Sequence, residues 1–468
     1  MKMLKTKYDK GRTNLSAAKT IALLALIALA VIAITIVANV KNSTSQVEEI
    51  KHIINEDLTT QGEAERTEVI VACPEKVAEK YKSEGTDNVI AQDYLVHESD
   101  EYPEVMSIKA DVIRKQIDYI CTGAVDLPEE YISLLGCSEI GVTHNYKVYK
   151  VLNNHYAPVS NELEAKQIAT DTGLQIRDIY VSLSGQNDAD SQGNSENELS
   201  TFLVLNDLHT LMTTDDTTSE FATDISGRFT GMFRTNTGMA SEDAWQNISA
   251  IIDNYKADGI LMAGDMVDFA SSTNYELFQM GLNKIQTPIL YTRADHDVSA
   301  WYNSDGSYTN EDAQVAHNSF TSAGGNVSND EILVWEFDEY IILGWNNSCF
   351  QMSSSALEKA REIFAKNKPI ILVTHVPLDT GDDGLYESSI SAYDGVHAKL
   401  WGYRNCYYQP DDNTREFINM CLNKNSQVRS IICGHLHYQY DAPVHDDVME
   451  YVLAPSFQGN MCRLHILK

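Results

Sequence analysis

Five short apolar runs in the second half of the chain each end in aspartate or histidine. Residues 202–205 lead through Asn206 to Asp207 and, two positions on, His209. Residues 259–263 lead into Gly264-Asp265 and then Asp268. Residues 288–291 lead into Ala294-Asp295-His296-Asp297, residues 369–374 into His375, and residues 428–433 into Gly434-His435-Leu436-His437. Carboxylate oxygens and imidazole nitrogens, with no thiolate among them, form a donor set for Zn, Mn or Fe. One Asp-x-His after a strand is commonplace, and a lone histidine such as His375 is ordinarily a hydrogen-bonded rim residue. Five successive strand ends delivering ligand types are not what sheet packing requires, because Asp and His are seldom buried without a task or a partner.

The apolar runs are too short for helices and read as buried strands. Their polar ends then fall at the carboxyl edge of an open α/β sheet, where such sheets place ligands. Between them the pattern predicts helices at 242–256, with Ser241 as cap, and at 274–284, 355–366 and 414–422. Residues 332–345 predict a hairpin turning at Asp338-Glu339. Residues 210–237, rich in Thr, Asp and Gly, predict a long loop over the strand ends. Residues 380–408, rich in Gly and Tyr, predict a substrate loop.

The whole chain has 468 residues, enough for two or three domains. A net charge of −32 argues against nucleic acid as a partner. The 8 cysteines are scattered without a C-x-x-C pair, and Cys433 reads as a small core residue. Residues 1–20 form a basic tail, with Lys2, Lys5, Lys7, Lys10, Arg12 and Lys19 against Asp9. Residues 21–38 carry no charge, and the span 21–40 is expected to be a single-pass membrane anchor. The basic flank places the N-terminus inside and the rest of the chain outside the cytoplasm, at the cell membrane. The rival is a cleaved signal peptide, whose apolar core is ordinarily shorter and is followed by small residues at the cleavage site. Residues 41–65 are polar and are expected to form a helical stalk. Residues 66–184 alternate helical and extended patterns and are expected to form a small α/β domain of unknown role, in which His97, His144 and His155 are isolated. Residues 185–199 read as a flexible linker, and residues 200–468 carry the motifs.

The ordered set Asp207-x-His209, Gly264-Asp265-x-x-Asp268, Asp295-His296-Asp297, His375 and Gly434-His435-x-His437 resembles the calcineurin-like metallophosphoesterase family. The resemblance covers about the last 270 residues and leaves the first 200 outside. It implies an α/β sandwich of two sheets flanked by helices, with two divalent metal ions bridged by an aspartate and a hydroxide. Carried over by position, the first metal takes Asp207, His209 and His437, the second takes Asp295, His375 and His435, and Asp265 bridges them. His296 matches a non-ligand histidine that acts as acid towards the leaving alkoxide, with Asp297 expected to hold its ring. Asp268 is expected to orient a ligand histidine. The implied activity is hydrolysis of a phosphomonoester or phosphodiester. One departure stands out. Where the family has Gly-Asn-His, this chain has Ala294-Asp295-His296, which adds a negative charge beside the second metal and favours the less charged diester. That departure also keeps open a non-catalytic surface protein that retains the metal site and binds a ligand.

Overall fold

The computed structural model describes residues 46–468 except 62–65, 67–68, 87, 92–101, 124–125, 153–156, 185–196, 213–227, 229–231, 299–329, 348–350, 392–399, 403, 405–408 and 447. Two compact units emerge. One takes in Met1–Ser99, Ile117–Ile132 and Cys137–Val151, and the other Asp100–Gln116, Ser133–Gly136 and Leu152–Lys468.

In the smaller unit, β1 (Val71–Cys73), β2 (Val89–Ala91), β3 (Tyr119–Thr122), β4 (Cys137–Val142) and β5 (Lys147–Val151) form one sheet in the order β2-β1-β3-β5-β4. β1 runs parallel to β2 and β3, and the β5 pairings are antiparallel. Residues 46–60 form a helix whose Val47, Ile50, Ile54 and Leu58 are buried in this unit's core beside Cys73, Tyr81 and Cys121. The described part of the expected stalk, residues 46–61, is therefore helical as expected over 46–60 but packs into the small domain. Its apolar positions recur on one helical face, and burial of that face outweighs its polar average composition. The expected anchor at 21–40 lies outside the described residues. Among the described residues no helix is long and apolar enough to cross a membrane.

The larger unit holds two further sheets. β6 (Gln175–Ser182), β7 (Glu198–Leu205), β8 (Gly259–Ala263), β9 (Ile289–Thr292) and β16 (Asn460–Leu467) give the order β6-β16-β7-β8-β9. β10 (Ile332–Glu336), β11 (Ile341–Trp345), β12 (Ile370–Thr374), β13 (Val428–Cys433), β14 (Tyr440–His445) and β15 (Val448–Val452) give β10-β11-β12-β13-β15-β14. Alternation along the strands builds the layers. Phe202 and Val204 of β7 pack with Leu261, Ile342, Val373 and Leu464 between the sheets. Leu203 and Leu205 face outward onto Trp245, Ile248 and Phe278 of the helices Ser241–Ile251 and Ser272–Leu282. The second sheet is covered by Ser354–Phe364 and Asp412–Leu422 through Leu357, Ala360 and Phe417.

Several boundaries differ from the sequence reading. β6 lies before the expected linker, yet it pairs along its whole length with β16 of the larger unit, from Gln175 opposite Asn460 to Ser182 opposite Leu467. The helix Tyr102–Arg114 also belongs to the larger unit. It buries Lys109 beside Asp243 at 2.6 Å, and Arg114 Nε reaches Glu276 at 2.7 Å. The expected substrate loop contains a helix, Asp383–Ser391, started by Asp382, whose carboxylate accepts from Leu385 N at 2.7 Å. Leu385 is buried with Leu436, so this helix packs on the loop that carries His435 and His437.

Candidate metal centre

The turns after β7, β8, β9, β12 and β13 bring the sequence-selected side chains together. Asp207, His209, Asp265 and His437 offer ligand atoms that all lie within 4.8 Å of one another, and so do Asp265, Asp295 and His375. Asp265 belongs to both sets. His435 stands beside the second set, its ring 5.2 Å from that of His375. His209, Asp268 and His296 form a third close group.

The backbone is strained in one consistent way at three of these turns, those after β7, β8 and β13. Asp207, His209, Asp265, His435 and His437 all have positive φ, from 45° to 71°. Each such residue costs on the order of 1 kcal/mol. The left-handed turns aim successive side chains inward instead of alternating them across the sheet. Two glycines make room. A Cβ on Gly264 would lie 2.6 Å from His375 Nδ1, and one on Gly434 would strike the Asp207 carboxylate.

Hydrogen bonds then fix the imidazoles. His209 Nδ1 lies 2.9 Å from Asp268 Oδ1, and its ring stacks on Phe233 at 4.4 Å. Donation from Nδ1 leaves the Nε2 lone pair facing His437 Nε2 at 3.0 Å. His375 Nδ1 lies 2.9 Å from the Ala263 carbonyl oxygen, so its Nε2 faces Asp265 Oδ2 at 3.1 Å. Asp265 Oδ1 is buried and has no hydrogen-bond partner among the described residues. Lone pairs converging in a buried space require positive charge between them. The donor set therefore fits two divalent cations, with the Asp265 carboxylate common to both.

Electrostatics point the same way. Burial lowers His209 and His435 to about 4, against the pull of Asp268 on the first, so both are neutral and ligand-ready. Burial would also lower His375, but Asp265 overcomes it and raises that imidazole to about 10, so without a cation it carries a proton on the side facing Asp265, which a bound cation would displace. Burial opposes ionisation of Asp207, yet His437 and His375 hold its carboxyl at about 2.

The turn after β9 departs from the sequence reading. Asp297 was expected to hold the His296 ring. Its carboxylate instead accepts the backbone N–H groups of Asp265, Met266, Val267 and Ala294 at 2.8–3.1 Å. It is thus a clamp on the turn that carries Asp265. His296 is held by the main chain, with Nδ1 2.6 Å from the Asp268 carbonyl oxygen, and its side chain is 21% exposed. Ser241 differs too. Ala240 is the N-cap, and the Ser241 hydroxyl donates to the His209 carbonyl at 2.8 Å.

Other residues around the centre had no sequence signal. Arg228 lies in the expected long loop, and its Nε donates to Asp268 Oδ2 at 2.7 Å, with a second bond from Nη2 to Oδ1. Burial resists ionisation of Asp268, but Arg228 and His209 hold its carboxyl well below the usual range. Phe457 packs edge-on against both His209 and His437. Asn206 donates to Asp207 Oδ2 at 2.6 Å; its place before the motif was the one available hint.

Residues 200–439 match the calcineurin-like phosphoesterase family. Among solved structures, the chain is similar to a dimetal phosphatase from Danio rerio, with 11% identity over 56% of this chain and 89% of that one and a TM-score of 0.30. It is also similar to a purple acid phosphatase from yellow lupin (Lupinus luteus) seeds, with 12% identity, coverage of 57% and 43%, and a TM-score of 0.34. A phosphopantetheinyl hydrolase from Mycobacterium tuberculosis shows 12% identity, coverage of 55% and 90%, and a TM-score of 0.28. No curated protein matches the chain. The family match takes in more than half of the sequence and contains all five ligand-bearing turns, so the chain belongs to the calcineurin-like phosphoesterases and is a metal-dependent phosphoesterase.

Proposed function

We propose that the chain is a membrane-anchored phosphoesterase whose larger unit hydrolyses a phosphomonoester or phosphodiester outside the cytoplasm. The observation that carries the catalytic reading is the sharing of Asp265 between two ligand clusters, one with Asp207, His209 and His437 and one with Asp295 and His375. His435, beside His375, completes the second set. Two divalent ions, Mn, Fe or Zn, would neutralise the phosphate and activate a water for in-line attack on phosphorus.

The chain's own residues divide the remaining work. Asp268 and Phe233 fix the His209 ring, one at Nδ1 and one across its face. Asp297 holds the Asp265 turn by its backbone. His296 is kept by its Nδ1 bond to the Asp268 carbonyl, which leaves Nε2 as the atom that passes a proton to the departing alkoxide. The test is hydrolysis of bis(p-nitrophenyl) phosphate by the detergent-solubilised full chain. Steady turnover that is abolished by chelator and restored by Mn²⁺ supports the reading. Two bound metal equivalents without turnover on any phosphoester would favour the ligand-binding alternative, for which the extra charge at Asp295 speaks.

The anchoring half rests on residues 21–38, an uncharged apolar run behind a basic tail. Protease added to intact cells should release the larger unit, and protection of that unit would count against an external location.

A further inference from the structure

Five strand ends deliver ligands, and a sixth, that of β11, delivers none. It ends in Asn346-Asn347, and both side chains are buried. We infer that this asparagine pair is the positioning device that sets Asp295 and His375 at their common metal. The inference rests on the metal-site reading above and extends it to residues that touch no ligand atom.

The two amides grip different turns. Asn346 Oδ1 accepts from the backbone N–H of Arg293 at 2.7 Å, at the start of the turn that carries Asp295. Its Nδ2 donates to the Asp330 carbonyl at 2.8 Å, and its backbone N–H donates to the Glu331 carbonyl at 3.0 Å, so the residue is tied down on its far side. Asn347 Oδ1 accepts from the backbone N–H groups of both His375 and Val376, at 3.2 and 3.0 Å. Its Nδ2 returns a bond to the Val376 carbonyl at 2.7 Å, and its own carbonyl accepts from Trp401 Nε1. Backbone N–H donors fix which amide atom is oxygen, so the orientation is set by chemistry.

The topology explains why a pair is needed. Asp295 follows β9 of one sheet, and His375 follows β12 of the other. Two packed sheets can slide against each other more freely than paired strands can, yet a shared cation fixes the separation of its ligands closely. β11 pairs with β12, with Trp345 opposite Thr374, and at Gly344 it comes so near β9 that a Cβ there would lie 2.8 Å from Thr292 Cγ2. Its end is therefore within reach of both turns. Consecutive residues on an extended chain point to opposite sides. One amide thus reaches across to the β9 turn while the next stays with its own sheet. The ligand-bearing turns that the two asparagines bond are those of Asp295 and His375.

The test uses the full-length chain, stripped of metal and titrated with Mn²⁺ by calorimetry. Wild type should take up two equivalents; fewer would overturn the metal-site reading itself. Asn347→Ala and Asn346→Ala should each weaken the second equivalent by about 10–100-fold, the usual scale for losing a bond that supports a ligand, and leave the first near its wild-type affinity. Asn346→Asp keeps the acceptor for Arg293 N–H, gives up the bond to the Asp330 carbonyl, and should weaken the second equivalent less than Asn346→Ala does. If Asn347→Ala fails to fold, the comparison of Asn346→Ala with Asn346→Asp decides alone. Where wild type binds two, equal weakening of both equivalents in the alanine variants, or of neither, would overturn the assignment.

Discussion

His296 Nδ1 lies 2.6 Å from the main-chain carbonyl of Asp268, and the side chain of the same aspartate holds His209 Nδ1 at 2.9 Å. One residue thus fixes a proposed metal-ligand imidazole with its carboxylate and the proposed acid with its backbone. The two imidazoles sit edge to face, 4.8 Å apart. Their roles should separate on mutation. His296→Ala should keep both metals and slow esters of alkoxide leaving groups by about 10²–10⁴-fold, the scale of lost acid catalysis. Esters of acidic phenols leave without a proton and should lose much less. Rates against leaving-group pKa, in wild type and variant, check this; a uniform loss would make His296 a positioning residue.

Asp297 should behave differently from its neighbour. Its carboxylate takes four buried N–H groups around the Asp265 turn. Asp297→Ala leaves those donors unsatisfied and should cost about 3 kcal/mol or more, together with metal affinity. The dependence on leaving-group pKa should stay that of wild type in whatever activity survives. A changed slope would return Asp297 to the proton-transfer step.

Asp295 is the departure from the family pattern. Asp295→Asn keeps a ligand oxygen and removes one negative charge beside the second metal. The variant should retain two metal equivalents and shift preference towards phosphomonoesters, whose dianion is repelled most by the native carboxylate. The ratio of kcat/KM for p-nitrophenyl phosphate to that for bis(p-nitrophenyl) phosphate should rise. An unchanged ratio would show that this charge does not select the substrate.

Glu450 predicts a pH dependence of stability. It is fully buried on β15; Oε1 accepts from Leu378 N at 2.7 Å, and Oε2 has no hydrogen-bond partner among the described residues. Burial raises its carboxyl to about 8, from 4.5 when unfolded. The folded chain then binds more protons than the unfolded chain between those values, so stability falls as pH rises from about 4.5 to about 8. Glu450→Gln keeps the acceptor and removes the charge. It should be more stable than wild type above pH 8, by on the order of 4 kcal/mol, and nearly equal to it below pH 4.5. Thermal melts across this range check the sign; a variant less stable than wild type at pH 8 would refute it.

The sequence was informative where chemistry is local. An apolar run and the Asp or His that follows it sit a few residues apart, and the five ligand-bearing turns could be read directly. The helix at 46–60 is legible as a helix, but its polar average composition suggests an exposed stalk and hides the buried stripe of Val47, Ile50, Ile54 and Leu58. β6 was assigned to the wrong unit because its partner, β16, lies some 280 residues away, and pairing at that distance leaves no local trace. Asp297 was misassigned because adjacency in sequence suggested a contact with His296, whereas the turn points the two side chains at different neighbours. Arg228, Asn346 and Asn347 act through bonds to backbone or to another carboxylate, and nothing in their flanking residues signals that.

The most direct test of the central claim is the metal content of the full chain compared with that of Asp265→Ala. Among the described residues, Asp265 is the side chain common to both ligand sets, and its Oδ1 is buried without a hydrogen-bond partner. Wild type loaded with Mn²⁺ and freed of excess should hold two equivalents by elemental analysis. Asp265→Ala, still folded by circular dichroism, should lose both. Two equivalents retained in that variant would contradict it.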